Sequence, residues 1–147
     1  MGDRCHLWMR VRKEDKCKIE AAFGYECWAE DIAEENALVW EDDQANYGSH
    51  EARHKAASMG AVFEGFHGGG GEYGPYVFAA AGERMEEAEC DWDQRPIVSM
   101  AYDGTLVQGH ADAARRYLLK DAETSALIKG EDPVEARNKK AKEMEIE

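Results

Sequence analysis

A chain of 147 residues with 44% hydrophobic residues, including 4 Trp, 6 Tyr and 4 Phe, is large and apolar enough to bury one core without metal or disulfide help. Its formal net charge of −13 argues against direct binding to nucleic acid or anionic lipid, and makes a basic protein surface the natural partner. The 4 cysteines, Cys5, Cys17, Cys27 and Cys90, form no Cys-x-x-Cys pair, and the first residues hold no apolar signal segment, so free thiols in a reducing cytoplasm are expected. No apolar run approaches the ~20 residues that span a bilayer, so no membrane role is expected.

The first element is a strand. From Cys5 to Arg12, Cys5, Leu7, Met9 and Val11 alternate with His6, Trp8, Arg10 and Arg12, which gives one buried face. Lys13 to Phe23 reads as a helix closed at Gly24. Tyr25 to Asn36 is ambiguous, and Leu38 to Trp40 reads as a buried strand. Ser49 to Met59 is a helix ending at Gly60, and Ala61 to Phe66 is a strand. A glycine loop follows, then strands at Tyr76 to Ala81, Arg84 to Cys90 and Ile97 to Ala101, with a turn at Asp103-Gly104. Ala111 to Ile128 is the longest helix, closed by Gly130. No internal repeat is read. The pattern predicts one α+β domain over residues 1–130, with a mainly antiparallel sheet of roughly four to six strands and helices on one face. Leu7, Met9, Val11, Val39, Val62, Phe66, Val77, Phe78, Ile97 and Val98 are its expected sheet residues. Residues 131–147 form a polar C-terminal helix or tail with Asp132 as N-cap and Pro133 at the first helical position.

Three motif matches crowd the middle of the chain. His50-Glu51-Ala52-Arg53-His54 has the spacing of a zinc-protease helix, with Glu64, His67 or Glu72 as candidate third ligands. Arg53 between the histidines and Lys55 after them oppose a dication. Gly69, Gly71 and Gly74 match a dinucleotide fingerprint, but Pro75 and Tyr76-Val77-Phe78 continue as a strand where a helix is required. His67 to Gly70 resembles an esterase oxyanion loop, yet no serine lies in Gly-x-Ser-x-Gly. His67, Tyr73 and glycines 68–71 are expected at the surface beside a concavity, suited to contact with a partner or small ligand; a tight structural hairpin is the alternative.

Charge is unevenly distributed. Between Ile19 and Tyr47 there are Glu20, Glu26, Glu30, Asp31, Glu34, Glu35, Glu41, Asp42 and Asp43, and no Lys or Arg. Such a block is either a solvated face or a surface aimed at a basic partner.

The residues Asn46-Tyr47-Gly48, Gly60, Phe63, His67-Gly68, Gly70, Tyr73-Gly74-Pro75 and Asp103-Gly104, with Gly2-Asp3-Arg4-Cys5 at the start, resemble a pattern of small phage and mobile-element proteins. The resemblance covers about the first 120 residues. It implies an accessory protein acting in the cytoplasm of a bacterial host, and supplies no chemistry. The function expected first is therefore a non-enzymatic inhibitor of a host defence or nucleic-acid-handling protein, for instance a nuclease. Glu30, Asp31, Glu34, Glu35, Asp42 and Asp43, with His67 and Tyr73, would hold its basic surface, and no cofactor is needed. The alternative is a metal-binding protein or zinc-dependent hydrolase using His50, Glu51 and His54, with His67 completing the site. Oligomeric state is left open.

Overall fold

The computed structural model describes residues 4–29, 36–71 and 73–145. Five strands form one antiparallel sheet in the order β2-β1-β3-β4-β5. They are β1 (Arg4–Arg12), β2 (Ala37–Asn46), β3 (Phe63–His67), β4 (Tyr76–Ala81) and β5 (Arg84–Glu89). Four helices complete the fold: α1 (Lys16–Phe23), α2 (His50–Ser58), α3 (Gln108–Lys129) and α4 (Pro133–Glu145). The α+β class and the antiparallel sheet are as the sequence predicts.

The helices cover both faces of the sheet, where one was expected. Cys5, Leu7, Met9 and Val11 of β1 are buried, as their alternation requires. Leu7, Met9 and Val11 join Ile19 of α1, Ala56 and Ala57 of α2, and Phe78 and Ala80 of β4. The intervening Val77 and Ala79 of β4 point the other way, to Ala88, Cys90 and Tyr117 of α3. Val77 through Ala81 are all buried, because this strand is sandwiched. A continuous apolar run, not an alternating one, was the sequence mark of two-sided cover.

Sheet geometry depends on Gly65. A Cβ there would collide with the Trp8 carbonyl and with Met9, so β1 and β3 approach as closely as they do only because the residue is glycine. Buried Asp15 ties the β1–α1 corner to the start of β3. It accepts from Arg12 Nε (2.9 Å), Lys18 Nζ (3.1 Å) and the Val62 backbone N–H (3.0 Å). Burial raises its pKa, but these three bonds outweigh burial and hold it below the ordinary carboxylate value.

A second polar cluster lies under α3. Glu64 of β3 pairs with Arg10 Nη2 (2.9 Å) and accepts from Ser125 Oγ (3.0 Å). Asp121 of α3 hydrogen-bonds the same Glu64, and burial, then that bond, push its pKa up to about 8. Asp121 is therefore protonated at neutral pH and donates to Glu64. α3 ends at Gly130, and Asp132 Oδ1 accepts from the Val134 N–H (2.9 Å) to start α4. α4 buries no side chain and is held partly by an ion pair, Arg137 Nε to Glu123 Oε1 (3.0 Å).

Several expected elements are corrected. β2 runs on from Trp40 to Asn46. Lys13–Asp15 is a 3-10 turn that precedes α1. Val62 is buried but lies just ahead of β3. Ile97 to Ala101 is not a strand: Ile97 is exposed and Val98 half-buried, outside the sheet.

The segment between β5 and α3 contains a repeat the sequence reading missed. Asp91 N–H donates to Arg95 O and Gln94 N–H to Asp91 O; ten residues later Ala101 N–H donates to Thr105 O and Gly104 N–H to Ala101 O. Ile97 N–H to Glu89 O is matched by Val107 N–H to Ser99 O. The bridges Cys90–Pro96 and Met100–Leu106 share the same offset. Gln94 (φ 62°) and Gly104 (φ 88°) occupy the left-handed position that closes a three-residue hairpin. Two small hairpins of one design thus follow each other, with Trp92 and Tyr102 at equivalent places.

Candidate functional site: a histidine pair, a buried arginine and a tyrosine-lined pocket

The site begins at an unusual corner. Tyr47 (φ 52°), Gly48 (φ 62°) and Ser49 (φ 54°) are three consecutive left-handed residues between β2 and α2. Two of them carry side chains, for which that region costs roughly 1–2 kcal/mol each. A Cβ on Gly48 would overlap the His67 ring, so the corner closes directly over that histidine. α2 then starts with His50, and its pitch puts His50 and His54 on one face, ring centroids 4.3 Å apart.

Arg53 of α2 turns inward and is fully buried. Its Nε donates to Gly48 O (2.7 Å), its Nη1 reaches Glu87 Oε2 (3.3 Å), and its Cζ lies 4.3 Å over the Phe78 ring. Nη2 is enclosed with no hydrogen-bond partner among the described residues. Glu87 of β5 gives its other oxygen to the histidines: Oε1 is 3.6 Å from His50 Nδ1 and 3.8 Å from His54 Nε2. One ligand atom from each of His50, His54 and Glu87 lies within 4.8 Å of the others. Burial lowers the His50 pKa; Glu87 opposes that, and His54 and Arg53 reinforce it. His50 is therefore neutral at pH 7.

Beside this cluster is a pocket of about 310 Å³ walled by Tyr47, Tyr73, Tyr76 and His67, with His50, Arg53 and Glu87 also on its lining. Tyr73 stacks on Tyr47 (5.5 Å, 29°) and meets His67 edge-on (5.6 Å, 72°). His67 is buried, against the expectation that it lies at the surface. Its Nδ1 donates to Gly68 O (2.9 Å), and burial lowers its pKa, so it too is neutral. Tyr73 is half-buried and lines the pocket, while glycines 68–71 are half-buried or exposed and are not among its lining residues. The glycine loop joins β3 to β4 in register His67–Tyr76, so it is a hairpin, and the strand-to-helix turn of a dinucleotide fingerprint is absent there. Gly70 lies against the Tyr73 ring, which would have to move to admit a Cβ there.

The zinc-protease arrangement is not reproduced. The third donor near His50 and His54 is Glu87, where His67, Glu64 or Glu72 was expected; Glu72 lies outside the described residues. Glu51, one residue past His50 and so about 100° round the helix, lines a larger groove of about 800 Å³ that His50 shares with Phe23, Tyr25 and Lys55, and it is not among the residues of the tyrosine-walled pocket. The His50 and His54 side chains are 52% and 47% exposed, where a protease helix is buried behind its metal.

Of the acidic block, Glu30, Asp31, Glu34 and Glu35 lie outside the described residues. Asp42 and Asp43 sit on edge strand β2, where the pairing with β1 shifts register between Cys5 and Leu7. Asp42 is engaged locally, accepting from the Tyr25 hydroxyl and the Gln44 N–H. Burial, then this bond, raise the Tyr25 pKa to about 12. A charged, irregular edge strand resists pairing with another chain, a structural role that accounts for these two carboxylates without a partner.

Sequence reasoning missed Glu87, which is 33 residues beyond His54 and reads only as part of an exposed acidic strand. It also missed the exposed apolar arm: Trp92 (81% exposed), Ile97, Met100 (66%), Tyr102 (fully exposed) and Leu106 all lie between β5 and α3. Among the described residues no helix is long and apolar enough to cross a membrane. Compared with protein-family models, curated proteins and solved structures, the chain matches none.

Proposed function

We propose that this is a small acidic binding protein that docks a basic protein surface, with the twin-hairpin arm as its anchor. The observation that carries the reading is the arm itself. Trp92 and Tyr102 project from turns built by polar bonds, and Ile97, Met100 and Leu106 are exposed on the short arms beside them. Asp91 accepts from the Asp93 and Arg95 N–H groups and from Arg95 Nε; Asp103 accepts from the Thr105 N–H and hydroxyl. The backbone turns that carry Trp92 and Tyr102 are thus set before any partner arrives, which reduces the ordering cost of association. Exposed large apolar residues gathered in one short stretch of chain suit a contact surface, and Trp and Tyr are the residues that dominate binding energy. The net charge of −13 supplies long-range attraction to a basic partner. The resemblance to phage and mobile-element proteins suggests a host defence or nucleic-acid-handling protein as that partner. Asp42, Asp43 and the other carboxylates steer the encounter in this reading, and the arm holds it.

The test is capture from a bacterial lysate by immobilised protein, compared with the Trp92→Ala/Tyr102→Ala variant. Both side chains are exposed, so the variant should melt within about 2 °C of the parent. A basic protein retained by the parent, lost in the variant and released by about 0.5 M salt is the expected result. Retention that survives the double substitution, or that ignores salt, removes the arm as the anchor.

A further inference from the structure

We propose that His50, His54 and Glu87 bind one divalent transition cation of the zinc type, a site independent of the docking arm. Tetrahedral coordination with bonds of about 2.0–2.2 Å places neighbouring ligand atoms about 3.3–3.5 Å apart. The two Glu87 distances, 3.6 and 3.8 Å, are already near that spacing. The wider limit of 4.8 Å for the set closes by small rotations of two half-exposed imidazole rings. Two imidazoles and one carboxylate favour Zn²⁺, Co²⁺ or Ni²⁺ over Mg²⁺ or Ca²⁺, which prefer oxygen donors.

Arg53, which looked like an obstacle in the sequence, becomes a support. Its charge is directed into the core, onto Gly48 O, the Phe78 face and Glu87 Oε2. By holding one carboxylate oxygen it aims the other at the histidines, the role that an outer hydrogen-bond partner plays for a metal-binding carboxylate. Lys55, one residue past His54, lies about 100° round the helix from it and is not among the residues of the tyrosine-walled pocket. Three protein donors leave at least one position open, and His50 and Glu87 also line the tyrosine-walled pocket, so water or a small donor ligand can complete the sphere from there. A bound cation would also join α2 to β5 across the sheet.

The experiment is calorimetric titration of tag-free, thiol-reduced protein with Zn²⁺ near pH 7.5, with Mg²⁺ as control. One equivalent bound with Kd below about 100 μM, no Mg²⁺ uptake, and a Tm raised by about 5 °C at a hundredfold excess over Kd are expected. His50→Ala/His54→Ala should weaken binding roughly a hundredfold or more while leaving the circular dichroism spectrum unchanged, because both rings are half exposed. Glu87→Gln, which keeps an acceptor for Arg53, should weaken it at least about tenfold. Co²⁺ should give visible bands without the near-ultraviolet thiolate charge-transfer band that Cys5, Cys17, Cys27 or Cys90 would produce. Weaker binding than the stated limit, an unchanged Kd in the double histidine variant, or a thiolate band overturns the site.

Discussion

Arg53→Ala is expected to lower stability by about 3–5 kcal/mol, the range for breaking a buried ion pair from one side. Three losses coincide. The Gly48 carbonyl loses its donor at 2.7 Å, Glu87 loses its cation, and a cavity opens against Phe78. The Gly48 bond also fixes the left-handed corner, so the start of α2 should loosen with it. Lysine does not substitute, because one ammonium cannot serve the Gly48 carbonyl and Glu87 in the geometry of a planar fork. Arg53→Met with Glu87→Gln should recover much of the loss, since neither partner is then left charged and the volume is largely kept. Urea denaturation decides the matter. An Arg53→Ala variant within about 1 kcal/mol of the parent would mean that the buried guanidinium contributes little.

Asp121→Asn is expected to stabilise the protein increasingly as pH rises from about 4 to 8. In the unfolded chain Asp121 loses its proton near pH ~3.9. In the fold it keeps the proton up to about 8, because of burial first and Glu64 second; Lys140 and Arg10 oppose the rise, and Tyr117 also faces the site. Between those values only the unfolded state gives up the proton, so rising pH favours unfolding. The contribution is fully present below the unfolded pKa and gone above the folded one. Asparagine preserves a donor toward Glu64 and removes the titration. The gap between variant and parent should be near zero at pH 4 and about 2–4 kcal/mol at pH 8. Asp15, Asp91 and Asp103, whose pKa values are lowered, give the parent an opposite slope in acid, so the difference between the two proteins is the informative quantity. A gap that does not change with pH would show that Asp121 is already ionised in the fold.

Periodicity made most of the sheet legible. β1 announced itself by alternation, β4 by its unbroken apolar run, and α3 by length and Gly130. The failures share a cause: the decisive partner was distant in sequence, or the local pattern carried little hydrophobic signal. Arg53 reads as a surface cation in a polar helix, and only the fold reveals Phe78 and Glu87 waiting for it. The Asp121–Glu64 bond spans α3 and β3, and neither residue stands out among so many carboxylates. The twin hairpins share little beyond an aromatic followed by aspartate, Trp92-Asp93 and Tyr102-Asp103, because their repeat resides in backbone bonds. Ile97 and Val98 looked like a strand because two adjacent β-branched residues usually are one.

α4 carries a consequence of its own. A helix that buries no side chain detaches at little hydrophobic cost, and its ion pair to Glu123 is weakened by salt. Lys140 on that helix faces Asp121. Lys140 favours the ionised form of Asp121, so when α4 leaves that support goes with it, and docking of the helix and deprotonation of Asp121 favour each other. The last helix is then a unit latched by charge more than by burial, one that a rise in salt should unlatch well before the sheet gives way. Amide hydrogen exchange at rising salt should show falling protection in α4 with steady protection in β4; parallel loss in both would mean that the helix and the sheet open together.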